Sequence, residues 1–294
     1  MLEKVRKPAV AGQFYEARES SLRERIMECF MDERGPQKKP EIIKGNKNVK
    51  GVVVPHAGYI YSGAIAAHSY NAIAKNGFAD TFIILGPNHT GMGSGVSIMT
   101  EGNWMTPLGK IQINEKIAEK LHKGIIDKDD TAHNYEHSIE VQLPFLQYLA
   151  GDKKFDFIPI CMGMQDFETS EEVGKIIAEA IKQTDQKIII IASSDFSHAG
   201  FNYMSMPPEG TRVDEYASDQ DNKAIQEILK MNPDGLIKTV NENSITMCGY
   251  GPVATMLTAC KILGAKKAEL LKYGTSYEVQ PSTSCVGYGA IMIY

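Results

Sequence analysis

The chain of 294 residues has no apolar run approaching the ~20 residues that a membrane-crossing helix needs. Its N-terminus, MLEKVRKPAVAGQFY, lacks the apolar core of a secretory signal. Together these argue against a membrane role and predict a soluble, cytoplasmic protein. Cysteine is scarce. Cys29, Cys161, Cys248, Cys260 and Cys285 are odd in number, widely spaced and without a CxxC pair, which speaks against a disulfide framework and for reduced thiols. Charge of one sign is also lacking: the formal net charge is -5, and the only basic patches are short, such as Lys38-Lys39 and Lys266-Lys267. Nucleic acid is therefore not an expected partner. There is no internal repeat and no low-complexity stretch. What remains is an ordinary globular composition, 43% hydrophobic and 23% charged, sufficient for a sizeable core without staples.

Three β-branched runs, KGVVVP (50–55), TFIILG (81–86) and KIIIIAS (187–193), are apolar on both alternating faces. Each reads as a strand buried on both sides, as in the central sheet of an α/β fold. Further strands are expected at 95–99, 156–162, 267–273 and 285–293. Helical spacing marks 62–75 and 170–184, the latter through Val173, Ile176, Ile177, Ala180 and Ile181, with Ser170 and two glutamates at its start. Pro252 and Gly264 bracket another helix. Residues 31–48, charged and broken by Pro and Gly, read as a loop; too little chain precedes them for a separate domain. The prediction is a twisted, largely parallel or mixed sheet flanked by helices.

The chemistry is positional. VVVPHAG, IILGPNHTG and IIIASSDFSHAG each run a buried strand into a Gly/Pro/Ser-rich loop that carries His56, His89, or the pair Asp195 and His198. Open α/β sheets bind ligands beyond the carboxyl ends of their strands. Small neighbours such as Gly58, Gly86, Gly91 and Gly93 permit a ligand or metal to come close. In TMCGYGPV, Cys248 directly precedes a predicted helix, whose dipole is expected to lower the thiol pKa. Two imidazoles and a thiolate would suit iron, copper or zinc better than magnesium or calcium. The spacing alone does not join these residues.

The segments KPAVAGQFY, VPHAGYIYSG, ILGPNHTG, EHSIEVQLPFLQ, SSDFSH and CGYGP, in this order over nearly the whole chain, resemble the Memo-like family. That family is similar in fold to the class III extradiol dioxygenases, non-haem iron enzymes that open catechol rings. The resemblance implies one α/β domain over residues 1–294. It also implies a mononuclear metal site at His56, His89 and Cys248, with Asp195 and His198 lining the same pocket in catalytic roles. One divalent transition metal per chain is expected, iron in preference to copper or zinc. Where the dioxygenases use two histidines and a carboxylate, the third position here is Cys248, so ring cleavage does not follow from the fold. Metal-dependent redox chemistry on a small molecule is the leading expectation, with dioxygen a candidate co-substrate. A non-catalytic module holding a peptide or other ligand, and a zinc-dependent hydrolase, are the alternatives.

In NYEHSIEVQLPFL, Glu136, His137 and Glu140 suggest a metal-binding helix, but the run has one histidine where zinc helices have two. Glu136 and His137 are expected as pocket wall or as supports for the ligands. Ile139, Leu143 and Leu146 would bury the helix, and Pro144 should kink or end it. His68 and His122 read as structural or solvated, and His133 sits in a loop from which it could approach the site, though nothing in the sequence demands it. Trp104, with Tyr59 and Tyr61, could form an apolar or stacking wall for an aromatic or peptide-like ligand, although aromatic side chains more often fill core.

Overall fold

The computed structural model describes residues 3–294. Twelve strands are β1 (Val5–Arg6), β2 (Gly51–Val54), β3 (Thr81–Pro87), β4 (Val96–Ile98), β5 (Asn103–Thr106), β6 (Gly109–Gln112), β7 (Asp127–Lys128), β8 (Asp156–Met162), β9 (Ile188–Ser193), β10 (His198–Gly200), β11 (Ala268–Thr275) and β12 (Ser284–Ile293). Eight α-helices are α1 (Glu19–Met31), α2 (Tyr59–Lys75), α3 (Glu115–Leu121), α4 (Leu143–Ala150), α5 (Phe167–Lys182), α6 (Val213–Leu229), α7 (Pro233–Glu242) and α8 (Tyr250–Ile262).

The main sheet runs β10-β12-β2-β9-β3-β8-β4-β7, with β11 also pairing β12. Its centre, β2, β9, β3 and β8, is parallel, and β12 and β4 join it antiparallel on the two sides. The mixed α/β sheet expected from the sequence is thus what the chain builds. The three apolar runs form β2, β3 and β9, and every residue of those strands is buried. Packing on both faces explains why their patterns do not alternate. A separate small sheet, β1-β5-β6, ties the N-terminus to a hairpin.

Element starts differ from the sequence reading where a cap or a tertiary contact decides. Helix α5 begins at Phe167 rather than at Ser170, because the Asp166 side chain caps it by accepting from Thr169 N at 2.8 Å. Helix α2 reaches back to Tyr59, whose amide donates to Phe14 O at 2.8 Å. The EHSIEVQLPFL run is not one helix. Glu136 and His137 lie in a loop, Glu140–Gln142 form a 3₁₀ turn, and Pro144 sits in the first turn of α4, starting the helix it was expected to break.

Candidate metal centre

Strand β2 ends at Val54, and His56 follows on the loop before α2; β9 ends at Ser193, and Asp195 follows on the loop before β10. Since β2 and β9 are parallel neighbours, with Val54 opposite Ser193, the two loops leave the sheet side by side. Asp195 Oδ1 accepts from the amides of His56 (2.7 Å) and Ala57 (3.3 Å), which fixes the turn into α2. His56 is 2% exposed, and its Nδ1 meets Ser193 Oγ at 2.9 Å. That leaves Nε2 directed at Cys248 Sγ, 3.2 Å away.

His89 arrives from the end of β3, two strands from β2. Glu136 holds it twice: Oε2 accepts from the His89 amide at 2.5 Å, and Oε1 pairs with ring Nδ1 at 2.9 Å. Carboxylate to Nδ1 with Nε2 free is the usual way of aiming an imidazole at a metal. One ligand atom each from His56, His89 and Cys248 falls within a mutual 4.8 Å. For comparison, ligand atoms about 2.0 and 2.3 Å from a shared tetrahedral ion stand ~3.5 Å apart.

The expected donor set is therefore brought together. A second trio, His89, Glu136 and His137, is equally compact. Its carboxylate is already occupied, because Glu136 Oε1 also accepts the amides of His137 and Ser138, each at 2.8 Å. We read Glu136 as an orienting group. The His137 ring stacks on His89 at 4.7 Å between centroids, meets His56 edge-on at 5.4 Å, and lines the pocket.

Electrostatics follow from burial. Burial first, then the neighbouring histidines His137, His89 and His198, lower the His56 pKa well below its usual value, so the ring is neutral and able to ligate. Burial also works against charge on His89, but Glu136 outweighs it and raises the pKa. Glu136, despite its own burial, is held down at about 2 by His89. Burial takes His137 down to about 4. Asp195 is raised by burial, against the pull of His198 and of the two amides it accepts.

Cys248 contradicts the expectation from the helix dipole. Its thiol is pushed well above the usual range by burial and then by the Asp195 charge, which outweigh the start of α8. The residues present fit a metal. The neutral Nε2 of His56, the His89 ring and the Cys248 thiol converge, and a cation there would displace the ring and thiol protons and supply the counter-charge that a thiolate lacks.

The centre opens into a pocket of about 480 Å³, whose lining includes His56, His89, His137, Asp195, His198 and Tyr61. His198 Nδ1 lies 3.0 Å from Phe196 O and 3.1 Å from Thr246 O, which assigns it the donor role and leaves Nε2 for the pocket. Of the three aromatics that could form a wall, only Tyr61 does so. Tyr59 is buried, with its hydroxyl on Val141 O at 2.5 Å, and Trp104 packs in the core under the Arg6 guanidinium. Both side chains fill space between layers. His133 is likewise buried against Trp104, with Nε2 on Ser97 O, and does not reach the site. His68 pairs with Arg34 O, and His122 follows the last turn of α3. Asn202, Tyr203, Ser276, Gln280, Ser284 and Tyr288 also line the pocket. Sequence reasoning missed them because the 3₁₀ turns carrying Asn202, Tyr203 and Ser276 have no periodic signal, and because nothing in the strand pattern of β12 marks Ser284 and Tyr288 as facing a pocket. A larger cavity, about 780 Å³, lies elsewhere, lined by Lys110, Lys153, Asp156 and Gln186 among others.

The Memo-like protein family model matches residues 6–292. A MEMO1 family protein of Methanopyrus kandleri is 45% identical over 98% of both chains. One from Methanococcus vannielii is 48% identical over 98% of this chain and 99% of its own. One from Methanocaldococcus jannaschii is 45% identical over 99% and 100%. Among solved structures, an uncharacterized protein of Escherichia coli K12 superposes with a TM-score of 0.53 at 13% identity, covering 84% of this chain and all of that one, a likeness of fold.

Proposed function

Because the chain belongs to the Memo-like protein family, we propose that it is a metalloprotein performing metal-dependent redox chemistry on a small molecule in the 480 Å³ pocket. The observation that carries this reading is the convergence of His56 Nε2, the His89 ring and Cys248 Sγ on one point, the two rings tethered through Nδ1. Iron is the favoured ion, with copper and zinc as alternatives; when bound, it supplies Lewis acidity and, for iron or copper, electron transfer toward dioxygen.

The chain's own residues do the remaining work. Ser193 and Glu136 fix the two imidazoles. Asp195, bonded to the amides of His56 and Ala57, sets the loop that carries His56. His198 offers Nε2 to move a proton on the bound molecule, and His137, its Nδ1 3.3 Å from Glu136 Oε1, faces the same space. Reconstitution with each metal, followed by a turnover screen in air and under anaerobic conditions, tests the reading. Turnover that needs iron or copper and air supports it; turnover with zinc and without oxygen would replace it with hydrolysis.

A second reading, a module that holds a peptide without turnover, is favoured by Phe201 (72% exposed) and Met204 (92% exposed), which flank pocket residues Asn202 and Tyr203. A stable peptide complex unaffected by His198→Ala, with no turnover under any metal, would select it.

A further inference from the structure

The proton-moving role of His198 raises the question of what holds this residue in place. Two residues just before it, Phe196 and Ser197, face the single Gly287 of β12: the Phe196 amide donates to Gly287 O, and the Gly287 amide donates to Ser197 O, each at 2.9 Å. This two-against-one arrangement re-aims the following side chain, as bulges beside active sites do. It also leaves the Ser197 amide with no strand to pair with, and a buried amide needs a partner.

Asp221, in the middle of α6 and 0% exposed, provides it. Its Oδ1 accepts from Ser197 N at 2.7 Å, and its Oδ2 accepts from the Tyr273 hydroxyl at 2.7 Å. Among the described residues the Ser197 hydroxyl is buried without a partner, so the amide is what ties Ser197 to α6. The socket is built for the carboxylate: a Cβ on Gly287 would stand 1.8 Å from Asp221 Oδ2. Among the described residues no salt bridge reaches Asp221, an uncommon arrangement for a carboxylate serving structure alone. The titratable neighbours, Tyr273 on β11 and Cys285 on β12, are both pushed up by burial and stay protonated.

We propose that Asp221 is a positioning residue, which through the Ser197 amide sets where the His198 imidazole stands in the pocket. Thr246 completes the grip from the other side, with Oγ1 accepting the His198 amide and donating to its carbonyl, each at 2.8 Å. The inference builds on His198 as the proton-moving group, but its test needs neither metal nor turnover, so either can fail alone.

The experiment is amide hydrogen exchange and histidine ring NMR on the full chain. Asp221→Ala is expected to speed exchange at Ser197 by about tenfold or more and to shift the His198 ring signals, leaving those of His56 and His89 in place; Asp221→Asn, which keeps an acceptor, should restore both. Unchanged Ser197 exchange, or equal shifts in all three histidines, would overturn the proposal. If the alanine variant does not fold, the wild-type chain serves: the Ser197 amide proton must titrate with Asp221, and Asp221→Asn must abolish that titration. A flat wild-type profile would overturn the proposal equally.

Discussion

Both ends of strands β3, β8 and β9 carry polar clusters, and the two clusters differ in how their hydrogen bonds terminate. At the amino ends, Asn114 Nδ2 donates to Thr81 Oγ1 (2.9 Å), Asp156 Oδ1 (3.2 Å) and Gln186 Oε1 (2.9 Å), Thr81 in turn donates to Asp156, and Asn114 Oδ1 caps α3 through Ile117 N. Each group is answered by another protein group. At the carboxyl ends, the chains of bonds run through Ser193 and Glu136 into His56 and His89, then stop at Nε2 atoms facing Cys248 and the pocket. A closed network specifies a fold; an open one, running from buried Ser193, Glu136 and His56 to the exposed His89 and half-buried Cys248, leaves donors for a ligand. The larger cavity lies beside the closed network, with Asp156 and Gln186 in its lining already bonded to Asn114.

The same contrast appears within one turn of chain. Glu136 and Glu140 are both fully buried carboxylates. Glu140 is closed off by Arg6, by the amides of Ala9 and Val10, and by the Tyr15 hydroxyl, which lock the N-terminal segment onto the body. Glu136 passes its bonds on to His89, one of the three donors of the proposed metal centre.

Breaking a closed cluster should therefore cost stability and spare the metal, and breaking the open one should cost metal affinity. The largest stability effect is expected for Arg6→Ala, which strands the Glu140 charge: a loss of about 3–5 kcal/mol in urea unfolding, with metal stoichiometry unchanged in the folded fraction. Glu136→Gln should weaken metal binding by roughly 10–100-fold, read by competition with a chelator. Asn114→Ala should cost about 1–3 kcal/mol and leave metal affinity untouched.

Titration sharpens the comparison. His133 and His137 both fall to about 4 when folded, so the unfolded chain takes up their protons first. Their contribution is present above ~6.5 and is lost as pH falls from there to about 4, and that of Glu136 follows between ~4.5 and about 2. Asp221, raised by burial to about 6, acts in the opposite sense over the upper part of that range. Metal affinity should rise with pH, because Cys248 must give up its proton to bind. Denaturation and metal titration at several pH values check both slopes.

Much of this was legible in the sequence. Strands buried on both faces announce themselves as unbroken apolar runs, and three of them led into loops bearing His56, His89, and Asp195 with His198. Distance was not legible. Nothing in the chain's order says that Cys248 would stand 3.2 Å from His56, or that Asp221 would close on Ser197. The misplaced aromatics, Tyr59 and Trp104, show the limit: ring type tells what a side chain can do, and layer packing decides where it does it. The Cys248 thiol makes the same point for charge, since the dipole of α8 is real but burial is the larger effect.

The central claim is that the open cluster holds one metal ion. Elemental analysis of protein purified without chelator and reconstituted with iron, copper or zinc tests it most directly, with His56→Ala and Cys248→Ala alongside. About one ion per chain is expected in the wild type, with a drop of at least ~10-fold in both variants. No stoichiometric metal in the wild type, or an equal content in the variants, would contradict it.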